Sequence, residues 1–135
     1  MFQTTESNTK WGEISGTLSN QTDLAAELSL DNSSTAIVNT SKLSSGSLAT
    51  LVRWGKICVV SMYLSGTGNI ARYDVLFTLP DNFVSARNQW ATAPSNQGSA
   101  ISVCVLAGEH VIKADTAMTA AQYSGCEIQL VFITT

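Results

Sequence analysis

Polar residues dominate the first third of the chain, and short alternating apolar runs fill the rest. Residues 1–9 are Ser/Thr-rich after a single Phe2 and carry too little apolar surface to fold alone. Residues 10–18 alternate loosely around Gly12 and Gly16. Ser19 or Asn20 then offers a helix N-cap, and Asp23 places a carboxylate in the first turn, where the helix macrodipole favours negative charge. This predicts a helix to about Leu30, stopped by Asp31-Asn32-Ser33-Ser34. From residue 35 the period becomes two. Strands are expected at Thr35–Thr40, Leu48–Trp54, Lys56–Leu64, Arg72–Leu79, Ala100–Leu106, Glu109–Lys113, Ala114–Met118 and Cys126–Thr134. Gly55, the Gly66–Asn69 cluster and Pro80-Asp81-Asn82 break these runs, and Ser85–Asn96 reads as a connection. Tyr63 and Tyr73, flanking the Gly66–Asn69 turn, are candidates for a cross-strand pair. So many short strands, about seven to nine, predict a mainly β antiparallel sandwich or jelly roll.

The pattern divides the chain into an N-terminal arm (1–20), a short helical stem (21–31) and a β-sandwich head (32–135). The stem has barely three turns, a length that is marginal alone in water. Its apolar groups are Leu24 and Leu28 at i,i+4, with Leu18 and Ala25 alongside. Such a narrow stripe suits either packing against the chain's own sandwich or burial against copies of itself around a threefold axis. Ile57-Cys58-Val59-Val60 and Leu130-Val131-Phe132-Ile133 are apolar on both strand faces, whereas a monomeric sandwich should wet one.

Composition sharpens this picture. Of 135 residues, 44% are hydrophobic and only 13% charged, with seventeen Ser and fifteen Thr supplying polarity instead. Few charges keep neighbouring copies apart, which fits an assembled particle. The net charge is −3 and the seven Lys and Arg are scattered, so nucleic-acid binding is not expected. Met1–Glu6 lacks the features of a secretory signal, and no apolar run approaches the roughly 20 residues of a membrane span. Synthesis in a cytoplasm, without membrane insertion, is the expectation.

Little of the sequence speaks for chemistry. Cys58, Cys104 and Cys126 sit inside apolar runs and read as buried reduced thiols; their odd number gives no disulfide framework, and no fourth ligand completes a zinc site. His110, beside Gly108 and Glu109, reads as a turn residue. No H-E-x-x-H, G-x-S-x-G, P-loop or calcium-type acidic cluster is present, so neither an enzyme nor a cofactor is expected. A binding role would fall to loop aromatics and amides, which cover sugar faces and read hydroxyls. Asn88, Gln89, Trp90, Asn96 and Gln97 form the best such group, although Trp90 equally suits anchoring its loop in the core.

One segment points further. Lys10-Trp11-Gly12-Glu13-Ile14-Ser15-Gly16-Thr17-Leu18-Ser19-Asn20-Gln21-Thr22-Asp23-Leu24 closely resembles the "W-G-x-I-x-G-x-L-S-x-Q-T-D-L" connector of tailed-bacteriophage fibre proteins. Downstream, Val52–Val60, Leu76–Phe83 and Gly125–Thr134 are similar, in order, to degenerate strand patterns of phage fibre heads. The second proline of the family's "L-P-x-x-f-x-P" segment is absent here, with Ser85-Ala86 near its place. The resemblance implies a short homotrimeric virion fibre with a jelly-roll or C1q-like head. In the family such a head contacts a host surface, through a glycan receptor for instance, or decorates the capsid. It favours Leu18, Leu24 and Leu28 at a trimer axis, and Phe2, Trp11 and Ile14 as anchors of an arm that docks on other virion proteins. A tail fibre, a capsid or neck head fibre, and a free lectin-like module all remain open at this point.

Overall fold

A computed structural model describes residues 33–135. The arm, the stem helix and the residues singled out there (Phe2, Trp11, Ile14, Leu18, Leu24 and Leu28) lie outside the described residues.

The alternating runs become nine strands: β1 (Ser33–Thr35), β2 (Ile37–Val38), β3 (Leu48–Trp54), β4 (Ile57–Tyr63), β5 (Val75–Thr78), β6 (Gln89–Pro94), β7 (Ala100–Val105), β8 (Val111–Ala114) and β9 (Glu127–Ile133), with one helical turn, α1 (Ala120–Tyr123), before the last. They form two antiparallel sheets, ordered β1-β3-β4-β9 and β2-β5-β8-β7-β6. Consecutive β6, β7 and β8 form a meander and β5 returns beside β8, which is a Greek-key arrangement. The expected mainly β antiparallel sandwich is therefore the fold of the described residues.

Period two decides which side chains fill the space between the sheets. In β3, Ala49 and Leu51 point inward; in β4, Cys58, Val60 and Met62; in β9, Ile128, Leu130 and Phe132. The facing sheet contributes Leu76, Phe77, Ile101, Val103, Val105 and Ile112, and all of these join one apolar cluster. Truncating any large member to Ala costs about 2–5 kcal/mol, because the close-packed surroundings cannot collapse onto the gap.

The turns follow local chemistry. Trp54 pairs with Ile57 across a two-residue loop, and Gly55 sits there at φ 61°, as the handed twist of a tight hairpin requires. Asn39 donates from Nδ2 to the Val75 carbonyl at 2.7 Å, tying the start of a long loop to β5. Thr119 and Gln122 form a reciprocal capping box that holds α1 in place.

Several expectations need correction. Thr35–Thr40 is not one strand: the chain changes sheet at Ala36, whose amide bonds back to the Ala49 carbonyl at 2.9 Å. The connection Ser85–Asn96 contains β6, whose inward residues are only alanines, so its apolar signal is weak. Its Pro94 is tolerated because β6 is an edge strand. Glu109–Lys113 and Ala114–Met118 are not two strands. The single strand β8 ends at Ala114, and Met118 returns only as an isolated bridge to Ile70. Tyr63 and Tyr73 are not a cross-strand pair: Tyr63 lies between Leu48 and Glu127 in the four-stranded sheet, while Tyr73 bonds to Ala114 beside the other sheet.

Candidate functional site: the outer face of the four-stranded sheet

The four-stranded sheet is apolar on its outer face as well as its inner one. Its outward positions form cross-strand rows set by the ladder register: Trp54–Ile57–Ile133, then Ser33–Val52–Val59–Val131, then Thr35–Thr50–Ser61–Gln129, and last Leu48–Tyr63–Glu127. Among the described residues ten large apolar side chains are exposed, and seven lie on this face: Leu48, Val52, Trp54, Ile57, Tyr63, Val131 and Ile133. Isolated exposed apolar residues are ordinary, but a contiguous group of this kind marks a binding surface.

The face is graded along its strands. The two rows at the β3–β4 hairpin end are apolar except for Ser33, whereas the other half carries hydroxyls and an amide. There Gln129 donates from Nε2 to Ser61 Oγ at 3.0 Å, and a shallow depression of about 310 Å³ lies over Leu48, Thr50, Ser61, Tyr63, Glu127 and Gln129. Glu127 is the sole charged side chain at an outward position of these four strands.

The opposite side of the molecule differs in kind. The five-stranded sheet's outer face carries the row Trp90–Cys104–Lys113–Val75. Lys113 Nζ lies 2.9 Å from Glu109 Oε1, and Arg72 lies 3.5 Å from Asp115 while its guanidinium covers the Tyr73 ring at 4.6 Å. Trp90 is exposed here, so its ring faces away from the core and does not anchor a loop within it.

The proposed binding group does not converge. Asn88 and Asn96 flank the six-residue strand β6 at opposite ends, and each has a structural task. Asn88 Oδ1 accepts the Ala107 amide at 2.9 Å, and Asn96 Nδ2 donates to the Ser124 carbonyl at 2.7 Å. Gln89 is exposed at the start of β6, and Gln97 lies in the β6–β7 turn. Of the group, Trp90 presents an outward ring from β6, with Thr92, which was not among the expected residues, exposed beside it on the same strand face.

No nucleophile emerges among the thiols. Cys58, Cys104 and Cys126 are all free and buried. Burial pushes the Cys58 and Cys104 thiols up, with Arg53 partly opposing it at Cys58 and the Asp115 carboxylate adding to it at Cys104. His110 Nδ1 lies 2.9 Å from the Leu79 carbonyl and 3.8 Å from the Asp81 carboxylate, as suits a turn residue. No group of three or more metal-ligating side chains is found among the described residues.

The sequence marked the two-sided strands but did not identify which outer face they share; that follows only from the register of β3, β4 and β9. No protein-family model, no curated protein and no solved structure matches the chain.

Proposed function

We propose that the chain is a non-enzymatic structural protein of a virion: a short homotrimeric phage fibre whose β-head is displayed for host-surface binding or for decoration of the particle. The observation that carries this reading is the outer face of the four-stranded sheet, with seven exposed large apolar side chains and a single charge. A freely diffusing monomer gains nothing from such a face and risks aggregation through it. The Trp-Gly connector at 11–24, upstream of an antiparallel sandwich, supports placing that assembly in a fibre. A jelly-roll or C1q-like head belongs to the same reading.

A receptor role finds its support in the opposite face. Exposed Trp90 beside Thr92 offers a flat ring and a hydroxyl, which suits the apolar and hydroxyl faces of a glycan. Electron microscopy of particles with antibody-labelled protein tests the reading directly. Label at a tail tip, a neck or the capsid surface supports a fibre and distinguishes its locations. Protein that is absent from purified virions and monomeric in solution overturns it in favour of a free lectin-like module.

A further inference from the structure

The geometry points to the hairpin-end half of the four-stranded sheet's outer face as the surface by which copies of this chain join around a threefold axis. Its contact is built on Val52, Ile57, Val59, Val131 and Ile133. This inference rests on the homotrimeric reading above and assigns residues to it.

Three observations select this half and this occupant. First, the partner must be apolar and uncharged where it touches, because the two rows carry no charge and, Ser33 aside, no hydrogen-bonding side chain except Trp54 at the end. The chain itself supplies such a surface, and when these rows lie close to a threefold axis they meet the same rows of the other two copies. Second, the size of the face fits a ring better than a pair. Four strands of up to seven residues cover an area on the order of 400–450 Å². A face-to-face dimer would cover only that footprint on each copy, a small contact beside the roughly 800 Å² of accessible surface that each partner buries in a standard stable interface. Around a threefold axis each copy meets two neighbours, so the sheet's edges at β1 and β9 are buried as well. Third, the chain enters the sandwich beside this half. Ser33 pairs with Val52, and β1 runs antiparallel to β3, so the first described residue sits toward the β3–β4 hairpin end of the sheet. An axis through the apolar half therefore lies next to the point where the upstream segment joins the head.

The graded face then acquires a division of labour. The apolar half sits at the axis, and the half with Thr50, Ser61 and Gln129 forms the wetter rim that fixes orientation through hydrogen bonds. The five-stranded sheet, with Trp90, turns outward.

The test uses the full chain. Wild-type mass in solution is expected at three times the 14.3 kDa chain mass. Val131→Lys and Val59→Lys are expected to give monomers with unchanged far-ultraviolet circular dichroism, while Thr92→Lys on the other sheet leaves the trimer intact. A second measurement avoids charge in the contact: a nitroxide on Ser61→Cys, beside the apolar half, should show dipolar broadening between copies that is lost on dilution with unlabelled protein, and one on Thr92→Cys should not. A wild-type trimer that keeps its mass in both lysine variants, or that shows no broadening at position 61, overturns this assignment and leaves the homotrimer standing. A wild-type monomer at micromolar concentration overturns both.

Discussion

Single residues set the tightest constraints where the loops meet the core. Tyr123 is fully buried and its hydroxyl donates to the Gly68 carbonyl at 2.8 Å, while Ser124 Oγ accepts the Gly66 amide at 3.3 Å, so two neighbouring side chains hold the Gly66–Gly68 turn. A Cβ at Gly66 would run into the Tyr123 hydroxyl. Because that ring cannot retreat, Gly66→Ala should destabilise by about 1–3 kcal/mol, as overpacking does. Tyr123→Phe keeps the packing and loses one hydrogen bond, costing about 1 kcal/mol. Denaturant unfolding that ranks the two in the reverse order would mean the turn is held elsewhere. Asp74 shows a pH effect at the same scale. The Ala71 amide, donating to it at 2.8 Å, is the main cause holding its carboxyl below the ordinary 3.8; partial burial opposes this, and Lys42 at 3.2 Å adds to it. A depressed folded-state pKa stabilises above the unfolded value and loses that contribution as pH falls through the folded one. Asp74→Asn should therefore lower Tm at pH 7, and the difference from wild type should vanish well below 3.8. A difference that persists in strong acid would show that the carboxylate charge is not its source.

At the scale of elements, legibility followed the strength of the apolar alternation. Leu48–Trp54 was readable to the residue, because Ala49 and Leu51 alternate with outward Thr50 and Val52 and Gly55 punctuates the hairpin. Strand β6 was not, since Ala91 and Ala93 give an inward face almost no hydrophobic contrast and Pro94 argues against a strand anywhere except an edge. The four residues of α1 are too few to show a helical period, and Thr119 with Gln122 is the signal that would have found it. The candidate face was half legible. Val59 beside Val60, and Val131 beside Phe132, showed that two faces were apolar. That Val52, Val59 and Val131 stand in one row depends on strand order, which no local pattern encodes. The β3–β4 hairpin should be sensitive in a specific way. Gly55 holds φ 61° with open space around it, so a side chain there meets backbone strain rather than a clash. Gly55→Ala and Gly55→Val should each cost about 1–2 kcal/mol in unfolding experiments, because any Cβ is strained at this φ. A Gly55→Ala protein as stable as the wild type would show that the loop does not need this conformation.

At the scale of the whole molecule, the described residues present two unlike sides: an apolar face on the four-stranded sheet, and a charged face with an exposed tryptophan on the five-stranded sheet. On the fibre reading proposed above, that asymmetry makes assembly and recognition separable, and Trp90→Ala should then reduce adsorption of particles to host cells without changing the mass of the protein. The same separation extends to attachment. Residues 1–18 include Phe2, Trp11 and Ile14 as potential anchors on other virion proteins, and none of them lies among the described residues. Ordering an arm of this polarity costs roughly 1–2 kcal/mol per residue in backbone entropy, a loss that a few anchors offset only when they are buried in a partner's groove or sheet edge. Among the described residues the core is one continuous cluster, in which Leu51, Val60, Leu130 and Phe77 are fully buried. Deleting residues 1–18 should accordingly leave a soluble head with native circular dichroism and a trimeric mass, held by the apolar half-face, while abolishing incorporation into particles assembled in its presence. A deletion protein that unfolds would place the arm in the head's own core and end the docking reading. One that stays folded but becomes monomeric would move the trimer contact from the sheet to the arm itself.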